Sequence, residues 1–295
     1  MPELPDLTLY IEHIRARVAG QPLGRARIVG LNLVRTVAPG PESAEGRSVR
    51  AVRRLGKRIV LEFAGGPFYA LHLMIAGRLH WREPGAKIPR RVGLAALDFR
   101  TGTLLMTEAG SVQRASLHVV QDEPELKVLD AGGLEPLEAT LEQFAGALSR
   151  ETHTLKRALT DPRLFSGIGN AYSDEILHRA RLSPLAHTTR LEPPEVKRLH
   201  AATRATLAEW IDRLRQEIGT AFPEKVTAFR AGMAVHGRYR QPCPECGAPV
   251  QRIVYAENET NYCVRCQTGG RLLADRALSR LLKADWPRTL EELEG

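Results

Sequence analysis

Four cysteines have the most specific chemical spacing in this chain. Cys243-x2-Cys246 and Cys263-x2-Cys266 form two pairs with residues 247–262 between them, and the rest of the 295 residues are cysteine-free. Paired knuckles of this kind set four thiolates in a tetrahedron, which suits one zinc ion held by a hairpin ribbon or finger. Four soft ligands leave no open coordination position, so such an ion stabilises its module and does not activate water. An iron–sulfur or redox site is the competing chemistry; the Pro and Gly of the first knuckle, CPECG, favour zinc. A second chemical element is GIGN at 167–170, a glycine-rich turn just ahead of a helical pattern. Free backbone N–H groups at such a turn can receive a phosphate. Asn170 is also of a type favoured as a helix N-cap, and the two roles are compatible.

The elements that must position these groups change character along the chain. Leu7, Tyr10, Ile11, Ile14 and Val18 recur at helical spacing, and Gly20, Pro22 and Gly24 end that helix. Short apolar segments bounded by Gly or Pro follow at 25–34, 48–55, 58–64, 67–73, 77–82, 92–99, 103–108 and 112–120, the pattern of a β-sandwich or barrel. Beyond Pro136 the segments 140–149, 152–161, 169–180 and 193–218 read as helices, separated by Pro162, Gly167 and Pro184. Residues 242–267 form a strand-and-turn segment, and 271–295 read as a terminal helix with an acidic tail.

With 42 Lys and Arg against 34 Asp and Glu, the formal charge is +8, which suits a polyanionic partner. Nucleic acid fits better than a membrane, because no apolar run approaches the roughly 20 residues a spanning helix needs. Pro2, Glu3 and Asp6 stand where a signal peptide would carry positive charge, so the expected compartment is the cytoplasm.

The opening PELPD, HLMIAGRL at 72–79, LEPL at 134–137 and the cysteine pairs together resemble the formamidopyrimidine-DNA glycosylase and endonuclease VIII family. LKRALTDPRLFSGIGNAYSDEILHRARLSP at 155–184 is similar to that family's helix-two-turn-helix DNA-binding element, and VHGRYRQPC at 235–243 to its entry into the zinc finger. The resemblance runs from residue 2 to about 267. It implies an α+β protein: an N-terminal β-sandwich with an N-terminal helix, a helix-two-turn-helix domain and a C-terminal four-cysteine zinc finger. The expected divisions are a catalytic domain at 1–120, a linker at 121–138, a DNA-binding domain at 139–225, a finger at 226–268 and an extension at 269–295. The chemistry is expected in the cleft between the first two domains.

The resemblance also implies an activity: base excision from damaged double-stranded DNA followed by cleavage at the abasic sugar, carried out by a monomer at the nucleoid. A Schiff base with C1′ needs an amine that is neutral near pH 7, and an α-amino group meets that condition better than lysine. Pro2 becomes such an amine once Met1 is removed; with Met1 attached its nitrogen is an amide. Glu3 matches the glutamate that moves protons during ring opening. From residue types alone, Pro and acidic residues here are also an ordinary helix lead-in. Lys57 resembles the family's lysine near the catalytic centre. Lys156, Asn170 and, more weakly, His72 match DNA contacts.

The family's pattern breaks at several places. The finger arginine that contacts phosphate aligns with Asn258, which lacks a guanidinium's charge and fork; Arg252 or Arg265 are candidates to compensate. TEAGSVQR at 107–114 replaces a DPRRFG-like loop whose side chains fill the gap behind a flipped base, and Ile75 replaces a methionine wedge. The 219–235 segment is shorter than an oxidised-guanine specialist would carry. Oxidised pyrimidines or ring-opened purines become the favoured lesions. Beyond Cys266, Arg271, Arg276, Arg280 and Lys283 could face phosphate, while Leu272, Leu273, Leu278, Leu281 and Leu282 better suit a helix packed on the body. A noncatalytic damage sensor, a monofunctional glycosylase and a zinc-ribbon RNA-binding protein are the rival readings.

Overall fold

The computed structural model describes residues 1–30, 32–110, 112–255, 258–274, 288–290 and 292, with Tyr255 and Asn258 described by backbone alone. The chain forms two compact units, residues 1–131 with 210–228, and residues 132–209 with 229–295.

The first unit is built from two antiparallel four-stranded sheets and a helix. Helix α1 (Leu4–Val18) buries Leu7, Tyr10, Ile11, Ile14 and Val18, the residues whose spacing predicts it. Strands β1 (Arg25–Ile28), β2 (Val49–Leu55), β3 (Arg58–Phe63), β4 (Phe68–His72), β5 (Gly77–Arg82), β6 (Gly93–Phe99), β7 (Gly102–Glu108) and β8 (Ser116–Val120) follow in chain order. One sheet has the order β1-β6-β7-β5 and the other β2-β3-β4-β8. The apolar alternation explains the layering. Ile59, Leu61, Phe63, Tyr69, Leu71, Leu117 and Val119 from the second sheet enter one core with Leu79, Leu94, Leu97, Phe99, Leu104 and Met106 from the first and with α1. Residues between them on β3, β4 and β8, namely Val60, Phe68, Ala70 and Val120, face outward and are covered by Leu126. Leu126 belongs to α2 (Glu123–Lys127), capped by the Asp122 carboxylate, a helix inside the stretch expected to be plain linker. Five residues rich in charge carry too little periodicity to reveal a helix; the uncovered sheet face supplies the reason for it.

The helices of the second unit are α3 (Leu141–Ser149), α4 (Leu155–Thr160), α5 (Asn170–Ala180) and α6 (Pro193–Ile218), at nearly the predicted positions. Thr140 and Gln143 close a capping box at the start of α3, and the Thr154 hydroxyl accepts from Arg157 N–H at the start of α4. Helix α6 begins in this unit and ends in the first, where Phe222 and Val226 just after it join the sandwich core. Glu224 in that stretch pairs with Arg82 at 2.6 Å and with His80 at 2.5 Å, fixing it to β5.

The cysteine segment is a hairpin of β9 (Val250–Tyr255) and β10 (Asn258–Cys263), then a short helix, α7 (Val264–Thr268), that the sequence reading did not contain. Its small core holds Val235, Val250, Ile253, Tyr262 and Val264 together with Leu272 and Leu290. Residues 271–274 are not helical, and most of the expected terminal helix, with Arg276, Leu278, Arg280, Leu281, Leu282 and Lys283, lies outside the described residues. Leu272 does pack on the body, through the finger core, and its amide donates to the Arg288 carbonyl at 2.8 Å. Among the described residues, no helix is long and apolar enough to cross a membrane.

The β4–β5 connection is tightly fixed by the sandwich. Gly77 N–H closes the turn on the Leu73 carbonyl at 2.9 Å, and a Cβ on Gly77 would overlap that carbonyl. Gly77→Ala is expected to cost about 1–3 kcal/mol, the range for overpacking, and to displace the loop that carries Ile75. Denaturant unfolding measures the first effect; an unchanged midpoint would show that the turn yields freely.

Candidate active site and metal centre

Pro2, Glu3, Lys57, His72 and Ile75 all belong to the first unit, and Lys57 lies within electrostatic reach of both the amino terminus and His72. Residues 1–3 lead directly into α1, and because α1 is buried in the core the amino terminus is held in place. Pro2 is buried, Glu3 is only 3 % exposed, and the Glu3 N–H donates to the Asp6 carboxylate at 2.9 Å. Lys57 sits in the two-residue turn between β2 and β3, after Gly56 at φ +59°. His72, at the end of β4, lies across from Arg58 on one side and Ser116 on the other.

Electrostatics link these groups. The terminal amine of Met1 is held below its ordinary value by burial; Glu3 and Asp6 oppose that shift, while the positive charges of Arg78 and Lys57 add to it. Burial pushes His72 down to about 4, with Arg58, Lys57 and His118 adding to it, so His72 is a neutral imidazole at physiological pH. An amine whose proton affinity is lowered by burial, within electrostatic reach of a buried carboxyl group and two cations, is suited to nucleophilic attack with proton transfer nearby.

Arg78 is a site residue that the sequence reading missed. Its guanidinium donates to the Ile75 carbonyl at 3.0 Å and the Gly77 carbonyl at 2.7 Å, bracing the loop, while its charge reaches the amino terminus. The GRL pattern gives no hint of this double role, which depends on the turn folding back. Ile75 stands 58 % exposed beside Met74 at φ +52°. On the replacement loop at 107–114, Glu108 is buried and its carboxylate accepts from the Arg114 and Ala115 amides at 2.9 and 3.0 Å, leaving Val112 exposed.

The second unit gathers Lys156, Asn170 and the cysteines. The N-cap of α5 is Gly169, with Asn170 the first helical residue, so the reading of Asn170 as an N-cap is corrected by one position. Glycine at the cap lets the chain turn in without a side chain, and the Asn170 side-chain amide instead donates to the Glu259 carbonyl at 2.9 Å. The Lys156 ammonium donates to the Asn170 carbonyl at 2.7 Å and the Asp174 carboxylate at 2.5 Å. Asp174, fully buried, also accepts from His236 Nδ1 at 2.8 Å and the Asn261 amide at 3.1 Å. Glu175 accepts from the Ala234, Val235 and His236 amides at 2.7–2.9 Å. These two adjacent carboxylates bind helix α5 to the finger, and neither was singled out from sequence.

The sulfur atoms of Cys243, Cys246, Cys263 and Cys266 lie within 4.8 Å of one another, a cluster able to hold one metal ion. Cys263 Sγ accepts from the Cys266 amide at 3.4 Å, the knuckle geometry that suits a thiolate. The Asn258 side chain lies outside the described residues, although its backbone opens β10 opposite Tyr255. Arg252, a candidate to replace the finger arginine, pairs with Glu259 at 3.1 Å and lies over the Tyr239 ring.

A β-sandwich that buries its own amino-terminal residues, helices around a glycine-rich turn and a four-cysteine finger are, in that order, the architecture that three family models match along this chain. The formamidopyrimidine-DNA glycosylase N-terminal domain matches residues 1–110, the H2TH domain of that glycosylase matches 133–221, and the zinc finger found in FPG and IleRS matches 240–269. The formamidopyrimidine-DNA glycosylase of Thermus thermophilus is 32 % identical over 276 residues, 92 % of this chain and all of that protein. An uncharacterized formamidopyrimidine-DNA glycosylase-like protein of Mycobacterium tuberculosis is 40 % identical over 151 residues, 51 % of this chain and 94 % of that protein. The crystal structure of the MutM (Fpg) protein from Thermus thermophilus superposes with TM-score 0.75 at 33 % identity, covering 90 % of this chain and 98 % of that one. Lactococcus lactis Fpg in complex with abasic-site DNA shares the fold, with TM-score 0.77 at 22 % identity over 90 % of this chain and 99 % of that one. The chain belongs to the formamidopyrimidine-DNA glycosylase and endonuclease VIII family.

Asp174 offers a direct test of how the second unit is assembled. Asp174→Ala leaves the Lys156 charge and the His236 and Asn261 donors without their shared acceptor and is expected to destabilise by about 3–5 kcal/mol. Asp174→Asn keeps an acceptor oxygen and should cost less. Equal, near-zero losses in chemical denaturation would remove the carboxylate from its organising place.

Proposed function

We propose that the protein is a DNA glycosylase and abasic-site lyase of base excision repair, acting on damaged double-stranded or abasic DNA. The observation that carries this reading is the amino terminus: buried residues hold it beside Glu3, within electrostatic reach of Lys57 and Arg78, in a member of a glycosylase family. On this reading Met1 is removed and the secondary amine of Pro2 attacks C1′ of the damaged nucleotide. The C1′–N bond breaks, the base leaves with its electron pair and takes up the proton that the Pro2 nitrogen gives up, and as the ring opens an iminium forms between Pro2 and C1′ of the sugar. Glu3, in its protonated form, gives a proton to the ring oxygen as the ring opens. Loss of a C2′ proton then expels the 3′-phosphate, and water releases the enzyme. Lys57 holds a phosphate near the reacting sugar, and neutral His72 offers a hydrogen bond without a competing charge.

Asn170 and the first turn of α5 supply a phosphate site on the second unit, while Lys156 acts from behind by fixing the Asn170 carbonyl. Asn258 is proposed as a weaker backbone contact than the arginine it replaces. The four cysteines hold one structural zinc; that ion, when bound, supplies rigidity to the finger and no reacting group. Ile75 enters the base stack as an aliphatic wedge. Val112, short and apolar, fills less of the gap behind a flipped base than the side chains it replaces, which supports oxidised pyrimidines or ring-opened purines over an oxidised-guanine speciality. The enzyme works as a monomer at the nucleoid in the cytoplasm.

Borohydride trapping on duplex DNA with an abasic site, using protein verified to lack Met1, is expected to give an adduct mapped to Pro2. Protein with a blocked amino terminus should give none. Tight DNA binding without an adduct would sink the lyase reading in favour of a damage sensor or a monofunctional glycosylase. The pocket lowers the proton affinity of the Met1 amine by burial. If it does the same for the Pro2 amine once Met1 is gone, the rising limb of the single-turnover rate against pH should lie below the titration of a free peptide with the same Pro-Glu-Leu start. A limb at or above the peptide's would mean that the pocket does not assist Pro2.

Metal dependence is the second test. Cys246→Ser should lose zinc, measured by elemental analysis, and bind duplex DNA more weakly; unchanged affinity in the metal-free protein would remove the finger from DNA binding.

A further inference from the structure

One buried side chain meets the cysteine cluster from outside it. His178, on α5, is 6 % exposed, and its Nε2 lies 3.2 Å from Cys243 Sγ, itself buried. Histidine here is not explained by helix packing alone, since an apolar ring would fill the same space without needing a polar partner. Its place on the helix gives the contact a meaning. Asp174, Glu175 and His178 stand at i, i+1 and i+4, so they share one side of α5. Asp174 accepts from β10 through Asn261, Glu175 accepts from the chain entering the finger, and His178 meets the first knuckle.

We infer that His178 is a positioning residue for the metal centre, donating its Nε2–H to the Cys243 thiolate and so joining the metal site to the helix that begins at Asn170. This rests on the reading that the four cysteines hold zinc. A metal-bound thiolate has no proton to give, so the hydrogen in this contact must come from the imidazole. Cys263 receives its N–H from backbone, the Cys266 amide, and that donor is fixed by the knuckle itself. Cys243 receives one from a neighbouring element, so its stabilisation depends on the finger remaining docked on α5. The donated hydrogen bond draws negative charge off the sulfur and restrains it against leaving the metal. Because the helix is rigid between Asn170 and His178, the metal also holds the phosphate-facing turn in register.

The test compares full-length wild type, His178→Phe and His178→Gln. Zinc transfer to excess EDTA, followed with a colorimetric zinc indicator, should be about tenfold or more faster for His178→Phe, which keeps the volume and loses the donor. His178→Gln, whose amide nitrogen reaches about as far as Nε2, should stay close to wild type. Equal release from all three proteins overturns the inference, as does equally fast release from the Phe and Gln variants, which would mean packing alone. Cobalt substitution reads the hydrogen bond itself: the sulfur-to-cobalt charge-transfer band should move to longer wavelength in His178→Phe and not in His178→Gln, and an unmoved band overturns the proposal. Should His178→Phe not fold, His178→Asn, whose amide is too short to reach the sulfur, takes its place with the same expected release rate and band shift. Wild type that takes up neither zinc nor cobalt would overturn the metal reading first, an outcome distinct from bound metal that is indifferent to residue 178.

Discussion

A carboxylate with no access to water must have its charge answered by the protein around it, and in the second unit that requirement organises everything else. Asp174 is such a group. Its partners come from α4 (Lys156), from β10 (Asn261) and from the segment entering the finger (His236), so a single buried charge specifies how three pieces of chain meet. A buried ion pair contributes little net stability, because desolvation consumes most of its attraction, but breaking it is costly. Such a group therefore acts chiefly to exclude other arrangements. Glu175, accepting three successive amides, does the same for the turn at 234–236.

The first unit solves a different problem, that of holding a chain terminus still. Terminal residues are ordinarily poorly ordered, and a reactive amine at a frayed end would sample every orientation. Here α1 begins at Leu4 and is buried in the sandwich core, so the residues preceding it have little freedom. The burial that fixes the amine also lowers its affinity for a proton. Placement and a lowered proton affinity thus come to the terminal amine from the same packing, and the loop braced by Arg78 brings Ile75 to the surface of the same unit.

Much of this was legible in residue order. Each predicted strand has its counterpart between Arg25 and Val120, and the long helices fall nearly where the apolar spacing puts them, because their faces are buried on one side and periodicity records that. What escaped detection was short or dependent on distant partners. Helix α2 exists to cover a sheet face, and α7 closes a knuckle. Lys156 reads in sequence as a DNA contact, and its bond to Asp174, eighteen residues on, was not legible there. Asn170 reads as a phosphate contact that also suits a cap, and the turn puts Gly169 at the cap and Asn170 one residue inside the helix.

Residue order alone carries the resemblance of its motifs to the family, and local spacing and composition carry the order of sandwich, helices and finger and the four thiolates. Which charges are answered, and by whom, emerges only on folding: Arg78 braces the Ile75 loop, Asp174 and Glu175 dock the finger, and His178 meets Cys243. Those pairings join residues far apart in the chain, and burial, which makes them obligatory, exists only once the chain has folded.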